Sequence, residues 1–209
     1  MKPFIFFFNK GWCYGKDDRS GLSDLLLAFC QEFKKDENVE LMVKINVSYA
    51  PNNWNLQNEI QKLNIDLKNA PVIRFIMDNV PYLTLINLYN EADVFVCPSR
   101  GEGFGLTMAE AMACGKSVIT SSFGGQTDFI TSDNGWLLPF KLVPCTDPNF
   151  IYEECQWGEI DIADLRKAMR NAYEDATGRQ GKAKKALADI STFTWDNSAK
   201  KALEALKQL

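Results

Sequence analysis

The chain has 209 residues, 46% of them hydrophobic and 24% charged, which suffices for one sizeable α/β domain with a packed core but not for both halves of a two-lobed enzyme. A net charge of -4 argues against nucleic acid as a partner, because any anionic ligand must be held by local dipoles and a few cations. Histidine is absent, which removes Ser-His-Asp and Cys-His catalysis together with the commonest zinc ligand.

The opening run FIFFF has strand length and is too short for a signal peptide or a membrane span. An amphipathic helix is predicted over Leu22 to Phe33, then strand VELMVKI, the polar loop NVSYAPNNW and a helix near Leu56 to Leu63. Strand PVIRFI follows, with a turn at MDNVP and a helix carrying Leu83, Ile86, Leu88 and Tyr89. DVFVCPS is the most continuous buried-strand run of the chain. Next come a glycine loop, a helix over Leu106 to Ala113, strand SVITSS, the small-residue turn FGGQTD and strand GWLLP. This alternation predicts an α/β fold, a Rossmann-like parallel sheet flanked by helices.

From Pro139 to Gly158 the pattern breaks into Pro, Cys, Asp and aromatic residues and reads as a surface excursion. Helical periodicity returns at Ile162, Leu165, Met169 and Tyr173, and again through Lys182 to Leu187 and Ala199 to Leu206. Cys13, Cys30, Cys97, Cys114, Cys145 and Cys155 form no CxxC pair and read as reduced, small core residues of a cytosolic protein. Lys182, Lys184, Lys185, Lys200 and Lys201 read as solvated helix faces, with a membrane surface as the alternative. The acids of GEID, Gly158 to Asp161, stand just before a helix, so Asp161 reads as an N-cap and no metal site is expected. The first strand leads into NKGWCYG, which lacks the glycine fingerprint of a dinucleotide-binding oxidoreductase.

The chemistry concentrates in SRGEGFG. Glycines at 101, 103 and 105 permit close backbone approach, and the helix that follows offers unpaired N–H groups and a partial positive charge, a natural place for phosphate. A plain strand-to-helix turn is the competing reading. Glu102 stands on the loop and Glu110 about one turn into the helix, so a diphosphate over the helix end would have a carboxylate on each side. Carboxylates repel phosphate but accept hydrogen bonds from a vicinal diol, which suits a nucleotide-sugar.

The run DVFVCPSRGEGFGLTMAEAMACGKSVITSSFGGQTDFI, followed by NGWLLP, resembles the donor-binding half of family 4 glycosyltransferases of the GT-B fold, with Glu102 and Glu110 as its E-x7-E pair. The likeness extends more weakly over the whole chain. It implies that residues 1–209 are a single nucleotide-sugar-binding domain, one lobe of a GT-B enzyme whose N-terminal acceptor lobe is absent. The second acid is then expected to hold the ribose diol and the first to approach the donor sugar. Backbone at Gly103, Phe104 and Gly105 is expected to meet sugar and diphosphate, with Gly101, Leu106, Gly11 and Lys16 completing the contacts.

FIMDNVP resembles the loop that reads the nucleobase, which places Ile76, Met77 and Asp78 beside it. GGQTDFI resembles a structural glycine turn, with Asp128 where the family usually has Glu. The family's two cations near the first strand are replaced here: Asn9-Lys10 stands at the first place and Ser20 where the second lysine is expected. Lys10, with Arg19 or Lys16, is the candidate for stabilising the leaving diphosphate. The resemblance further implies retaining transfer from a UDP- or GDP-sugar type of donor to a carbohydrate, lipid or protein hydroxyl, with no metal or other cofactor. The expected setting is cytoplasmic, with peripheral association at the inner face of a membrane as an option. A non-catalytic nucleotide-sugar-binding module is the alternative, marked by Ser20 and the absent lobe.

Overall fold

Strand β1, Phe4–Gly11, is apolar on both faces because helices cover both sides of it. In this computed structural model, which describes residues 2–12, 18–48, 50–146, 152 and 154–208, consecutive side chains of β1 point to opposite faces of a central sheet. The Phe6 ring packs on Phe29 and Phe33 beside helix α1, Leu22–Glu32, whereas Phe7 packs on Tyr89 of helix α3, Tyr82–Glu91.

The remaining elements follow in βα order: β2 (Val39–Asn46), α2 (Leu56–Lys62), β3 (Val72–Ile76), β4 (Val94–Cys97), α4 (Leu106–Ala113), β5 (Ser117–Ser121) and β6 (Gly135–Leu138). The sheet has six strands in the order β3-β2-β1-β4-β5-β6, and every neighbouring pair is parallel. The chain moves outward from β1 to β3, returns through α3 to β4, and moves outward the other way. That reversal makes the space between β1 and β4 the topological switch point, where open α/β sheets bind ligands beyond the carboxyl ends of their strands. Pairing between β1 and β4 covers only Phe6↔Val94 and Phe7↔Phe95, and beyond it the two strands part.

The segment read as a surface excursion contains a two-stranded antiparallel hairpin, β7 (Phe140–Pro144) with β8 (Gln156–Ile160), in register from Phe140↔Ile160 to Pro144↔Gln156. Pro144 and Gly158 disguise it, since neither residue type favours a strand. The Gly158 N–H bonds outward, to the Arg100 carbonyl at 2.9 Å, and a Cβ on Gly158 would lie 2.6 Å from Phe123, so glycine is required there for close packing. Only Cys97 fits the core reading fully: Cys30, Cys114 and Cys145 are half-buried, Cys155 is exposed, and Cys13 lies outside the described residues.

Helices α5 (Ile162–Glu174), α6 (Ala176–Ile190) and α7 (Trp195–Leu206) complete the chain, α5 packing with α1 and α6 with α4. Asp161 caps α5, its Oδ1 accepting from the Ala163 N–H at 2.8 Å. Lys182 lies over the Trp136 ring, 5.3 Å from its centroid, and Lys185 pairs with Asp189, so two of the lysines assigned to solvated faces make specific contacts. Among the described residues no helix is long and apolar enough to cross a membrane.

Candidate functional site

At the carboxyl end of β1 the strand alternation separates two neighbours. Asn9 follows Phe7 toward α3, while Lys10 follows Phe6 and Phe8 toward the other face. The Lys10 ammonium donates to Ser99 Oγ at 3.0 Å and forms an ion pair with Glu102, bridging the gap in which β1 and β4 part. Both side chains are largely buried, 15% exposed for Lys10 and 11% for Glu102. Burial draws the Lys10 pKa down to about 8; Cys97 and Asp18 pull it up and Arg19 pushes it down.

Arg19 approaches from the loop before α1. Its Nη1 donates to the Gly101 carbonyl and lies 3.8 Å from Glu102 Oε1. Ser20, where a second lysine is expected, is turned inward and 3% exposed, so the residue before it brings a cation to the site instead. Gly21 fixes this arrangement: it has φ 72° as the N-cap of α1, and a Cβ there would lie 2.1 Å from the Pro98 carbonyl oxygen. The two loops are knitted further by the Arg100 N–H donating to the Arg19 carbonyl at 2.9 Å. Arg100 also pairs with Asp24 at 3.4 Å and Glu159 at 3.6 Å, tying α1 and the hairpin to the glycine loop.

The loop Gly101–Gly105 leads into α4 through Gly105, whose φ of 93° suits glycine and which offers no side-chain cap. Among the described residues no side chain caps the first N–H groups of α4, which carry the positive end of the helix dipole. Gly124 and Gly125 lie beneath the loop: the Gly125 N–H donates to the Glu102 carbonyl at 2.9 Å, and a Cβ on Gly125 would fall 2.0 Å from the Gly103 carbonyl oxygen. FGGQTD is thus a buttress, with Gln126 Nε2 bonding the Ser121 and Phe123 carbonyls, each at 2.9 Å. Asp128 is exposed. At Gly103 the situation is reversed: nothing lies within 4 Å of the position its Cβ would take, and its φ is not positive, so neither packing nor backbone conformation calls for glycine there.

Glu110 lies on the α3 side of the sheet. Tyr89 Oη is 2.8 Å from Glu110 Oε2 and 3.2 Å from the Thr107 carbonyl, and Asn9 Nδ2 donates to the same hydroxyl at 3.1 Å. Burial drives the Tyr89 pKa far above that of an ordinary phenol, so this hydroxyl remains a proton donor.

The structure therefore brings together Lys10, Arg19, Gly101, Glu102, Gly103, Phe104, Gly105, Leu106 and Glu110 around the ends of β1 and β4. Phe104 is half-exposed, its ring 5.0 Å from that of Phe129, and Leu106 is exposed. Gly11 closes β1 opposite Asn46. Ile76, Met77 and Asp78 leave the edge strand β3, two strands from β1 and so about 10 Å along the same rim. Lys16 lies outside the described residues. Sequence reasoning missed Ser99, Arg100 and Tyr89 as parts of this site. Ser99 and Arg100 flank the first glycine and carried a proximity signal, whereas Tyr89 read only as a helix core position.

The sequence model of the family described as "Glycosyl transferases group 1" matches residues 18–143, more than half of the chain. The serotype-specific mannosyltransferase WbdA of Escherichia coli is 32% identical over 125 residues, 60% of this chain and 13% of that protein. A D-inositol 3-phosphate glycosyltransferase of Corynebacterium kroppenstedtii is 30% identical over 176 residues, 84% of this chain and 35% of that protein. The Anabaena protein Alr3699/HepE, solved in complex with UDP-glucose, shares the fold with a TM-score of 0.69 at 20% identity, covering 99% of this chain and 49% of that one. The chain thus spans about a third or less of the length of these two curated relatives and about half of the solved neighbour. On the family match across the switch-point loops, this chain belongs to the group 1 glycosyltransferases and carries one Rossmann-like lobe of a GT-B fold.

Proposed function

We propose that residues 1–209 form a single donor lobe that binds a nucleoside-diphosphate sugar and, with an acceptor-binding lobe closed over it, transfers the sugar to an acceptor hydroxyl. The observation that carries this reading is the convergence of the Lys10 and Arg19 cations on Glu102, in the glycine loop that leads into the uncapped start of α4 at the switch point. A diphosphate there meets two positive side chains and the helix dipole, which stabilise negative charge as the nucleoside diphosphate departs. UDP-glucose bound to a protein of the same fold supports the donor class.

In this reading the diphosphate draws Lys10 away from Glu102, and the freed carboxylate turns to the hydroxyls of the donor sugar. The open space at Gly103 lets backbone and ligand approach closely, with Phe104 and Gly105 beside it. Glu110 takes the ribose diol, and Ile76 to Asp78 border the base farther along the rim. The pair Glu102 and Glu110 serves as the E-x7-E motif of family 4, transfer retains anomeric configuration, and the charge compensation supplied by Lys10, Arg19 and α4 serves in place of a metal. The acceptor, whether carbohydrate, lipid or protein, docks on the other lobe. The work takes place in the cytoplasm, at the inner face of a membrane when the acceptor is a lipid.

The test is transfer from a radiolabelled donor in the presence of chelator, by this lobe joined to an acceptor lobe, with the product's anomeric configuration read by NMR. Retained configuration and insensitivity to chelator are expected, with transfer lost in Glu102→Gln. Inversion, or dependence on a divalent ion, contradicts the mechanism. Tight donor binding without turnover would favour the second reading, a non-catalytic module, to which the serine at position 20 lends its support.

A further inference from the structure

Tyr89 is 1% exposed, and its ring is wedged edge-on against Phe7, centroids 5.1 Å apart, and tilted against Phe95 at 5.6 Å. Core packing therefore fixes where its hydroxyl stands. That hydroxyl has one proton and three polar neighbours: it accepts from Asn9 Nδ2 at 3.1 Å, with Glu110 Oε2 at 2.8 Å and the Thr107 carbonyl at 3.2 Å as possible acceptors. The carboxylate is both closer and charged, so it takes the proton. Among the described residues no other side chain bonds the Glu110 carboxylate. A glutamate on a helix surface samples several rotamers, and here a rigid phenol holds one of its oxygens in place.

We propose that Tyr89, itself held by Asn9, is a positioning residue that pre-orients Glu110 for a ribose diol and so sets the preference of the site for ribonucleotides over 2′-deoxyribonucleotides. This rests on the reading that Glu110 faces the ribose. With Oε2 anchored by Tyr89, the carboxylate presents Oε1 and the remaining lone pair of Oε2 to two adjacent hydroxyls. Removing the phenol oxygen leaves the carboxylate free to rotate, and the diol must then order it at the expense of affinity. A deoxyribose, lacking one of the two hydroxyls, gains little from that order and loses little without it.

The experiment compares UDP, GDP and ADP with their 2′-deoxy counterparts by calorimetry, on the parent chain, Tyr89→Phe, Asn9→Ala and Glu110→Ala, with thermal melts to verify folding. Tyr89→Phe should lower the preference of the best-bound nucleotide for ribose by about threefold, the scale of re-ordering one freed side chain, while its deoxy affinity stays unchanged. Asn9→Ala should lower it in the same direction by less, and it carries the test if Tyr89→Phe does not fold. An unchanged ratio, or ribo and deoxy affinities falling together, overturns the proposal. If Glu110→Ala nevertheless abolishes the preference, the ribose reading survives without Tyr89. A parent chain that binds no nucleotide, or binds both sugars equally, overturns both.

Discussion

Asn9 and Lys10 are neighbours on β1, yet each serves a different glutamate: Lys10 pairs with Glu102, and Asn9 reaches Glu110 through the hydroxyl of Tyr89. The alternation of a strand at the switch point thus distributes one dipeptide between the two acids that flank the start of α4. Lys10 and Glu102, proposed above to meet diphosphate and sugar, pair with each other, and under that proposal donor binding exchanges the pair for new partners.

Replacing Lys10 removes a cation at the carboxyl end of β1, beside the switch point. Lys10→Gln is expected to weaken nucleoside-diphosphate binding by roughly ten- to a hundredfold, from the loss of a charged hydrogen bond of about 1.5–3 kcal/mol. Calorimetry of UDP, GDP and ADP checks it, and unchanged affinity would remove Lys10 from the phosphate site.

Glu102→Gln has the opposite effect on the bare nucleotide. With the competing carboxylate gone, Lys10 is released to the phosphates, and affinity for the nucleoside diphosphate should rise about threefold to tenfold, equivalent to on the order of 1 kcal/mol. Sugar transfer by the complete enzyme should nonetheless fall. A parallel loss of binding and transfer would show that Glu102 supports the loop and does not compete for Lys10.

With Lys10 at the diphosphate as proposed, its depressed pKa, about 8, is expected to make donor binding pH-dependent. Phosphate binds the ammonium form, which predominates below about 8 before phosphate arrives, so affinity should be steady near pH 7 and fall as pH rises through 8, with proton uptake on binding in that window. The bound phosphate raises the pKa, which limits the fall at still higher pH. Calorimetry at pH 7 and pH 9.5, in buffers of different ionisation enthalpy, measures both quantities, and Lys10→Arg should abolish the change between them.

Gly125 packs against the glycine loop, whereas Gly103 faces open space and is proposed as a ligand contact, so substitutions at the two should differ. Gly125→Ala places a methyl 2.0 Å from the Gly103 carbonyl oxygen, so the glycine loop must shift, at an expected cost of about 1–3 kcal/mol in stability together with loss of nucleotide binding. Gly103→Ala meets open space, should leave stability within about 0.5 kcal/mol, and should weaken donor binding alone. Denaturant melts beside nucleotide titrations distinguish the two. Equal behaviour of the two variants would mean that the space at Gly103 is not used by ligand.

The sheet and the position of the loop were legible because buried parallel strands read as continuous apolar runs, and helix α4 was placed over its full Leu106–Ala113 range. The hairpin from Phe140 to Ile160 was not legible: Pro144 and Gly158 break the strand pattern, and the reason for the glycine, contact with Phe123, is tertiary. The glutamate pair and the glycines could be read from spacing. Nothing local, however, announces that Glu102 folds back on Lys10, since that contact joins the end of β1 to the loop after β4, 92 residues away in sequence. Tyr89 was hidden for a related reason. Its ring satisfies the helical apolar period, while its one polar atom acts on a residue 21 positions later.

The measurement that tests the central claim most directly is calorimetric titration of the chain with UDP, GDP, ADP and the matching sugar nucleotides, alongside Glu110→Ala. The account predicts saturable binding of one nucleotide series, with affinity lowered about tenfold by Glu110→Ala, the scale of a hydrogen bond to a charged group. Absence of binding to every nucleotide below about millimolar, a free energy of roughly -4 kcal/mol, or affinity indifferent to Glu110→Ala, would contradict it.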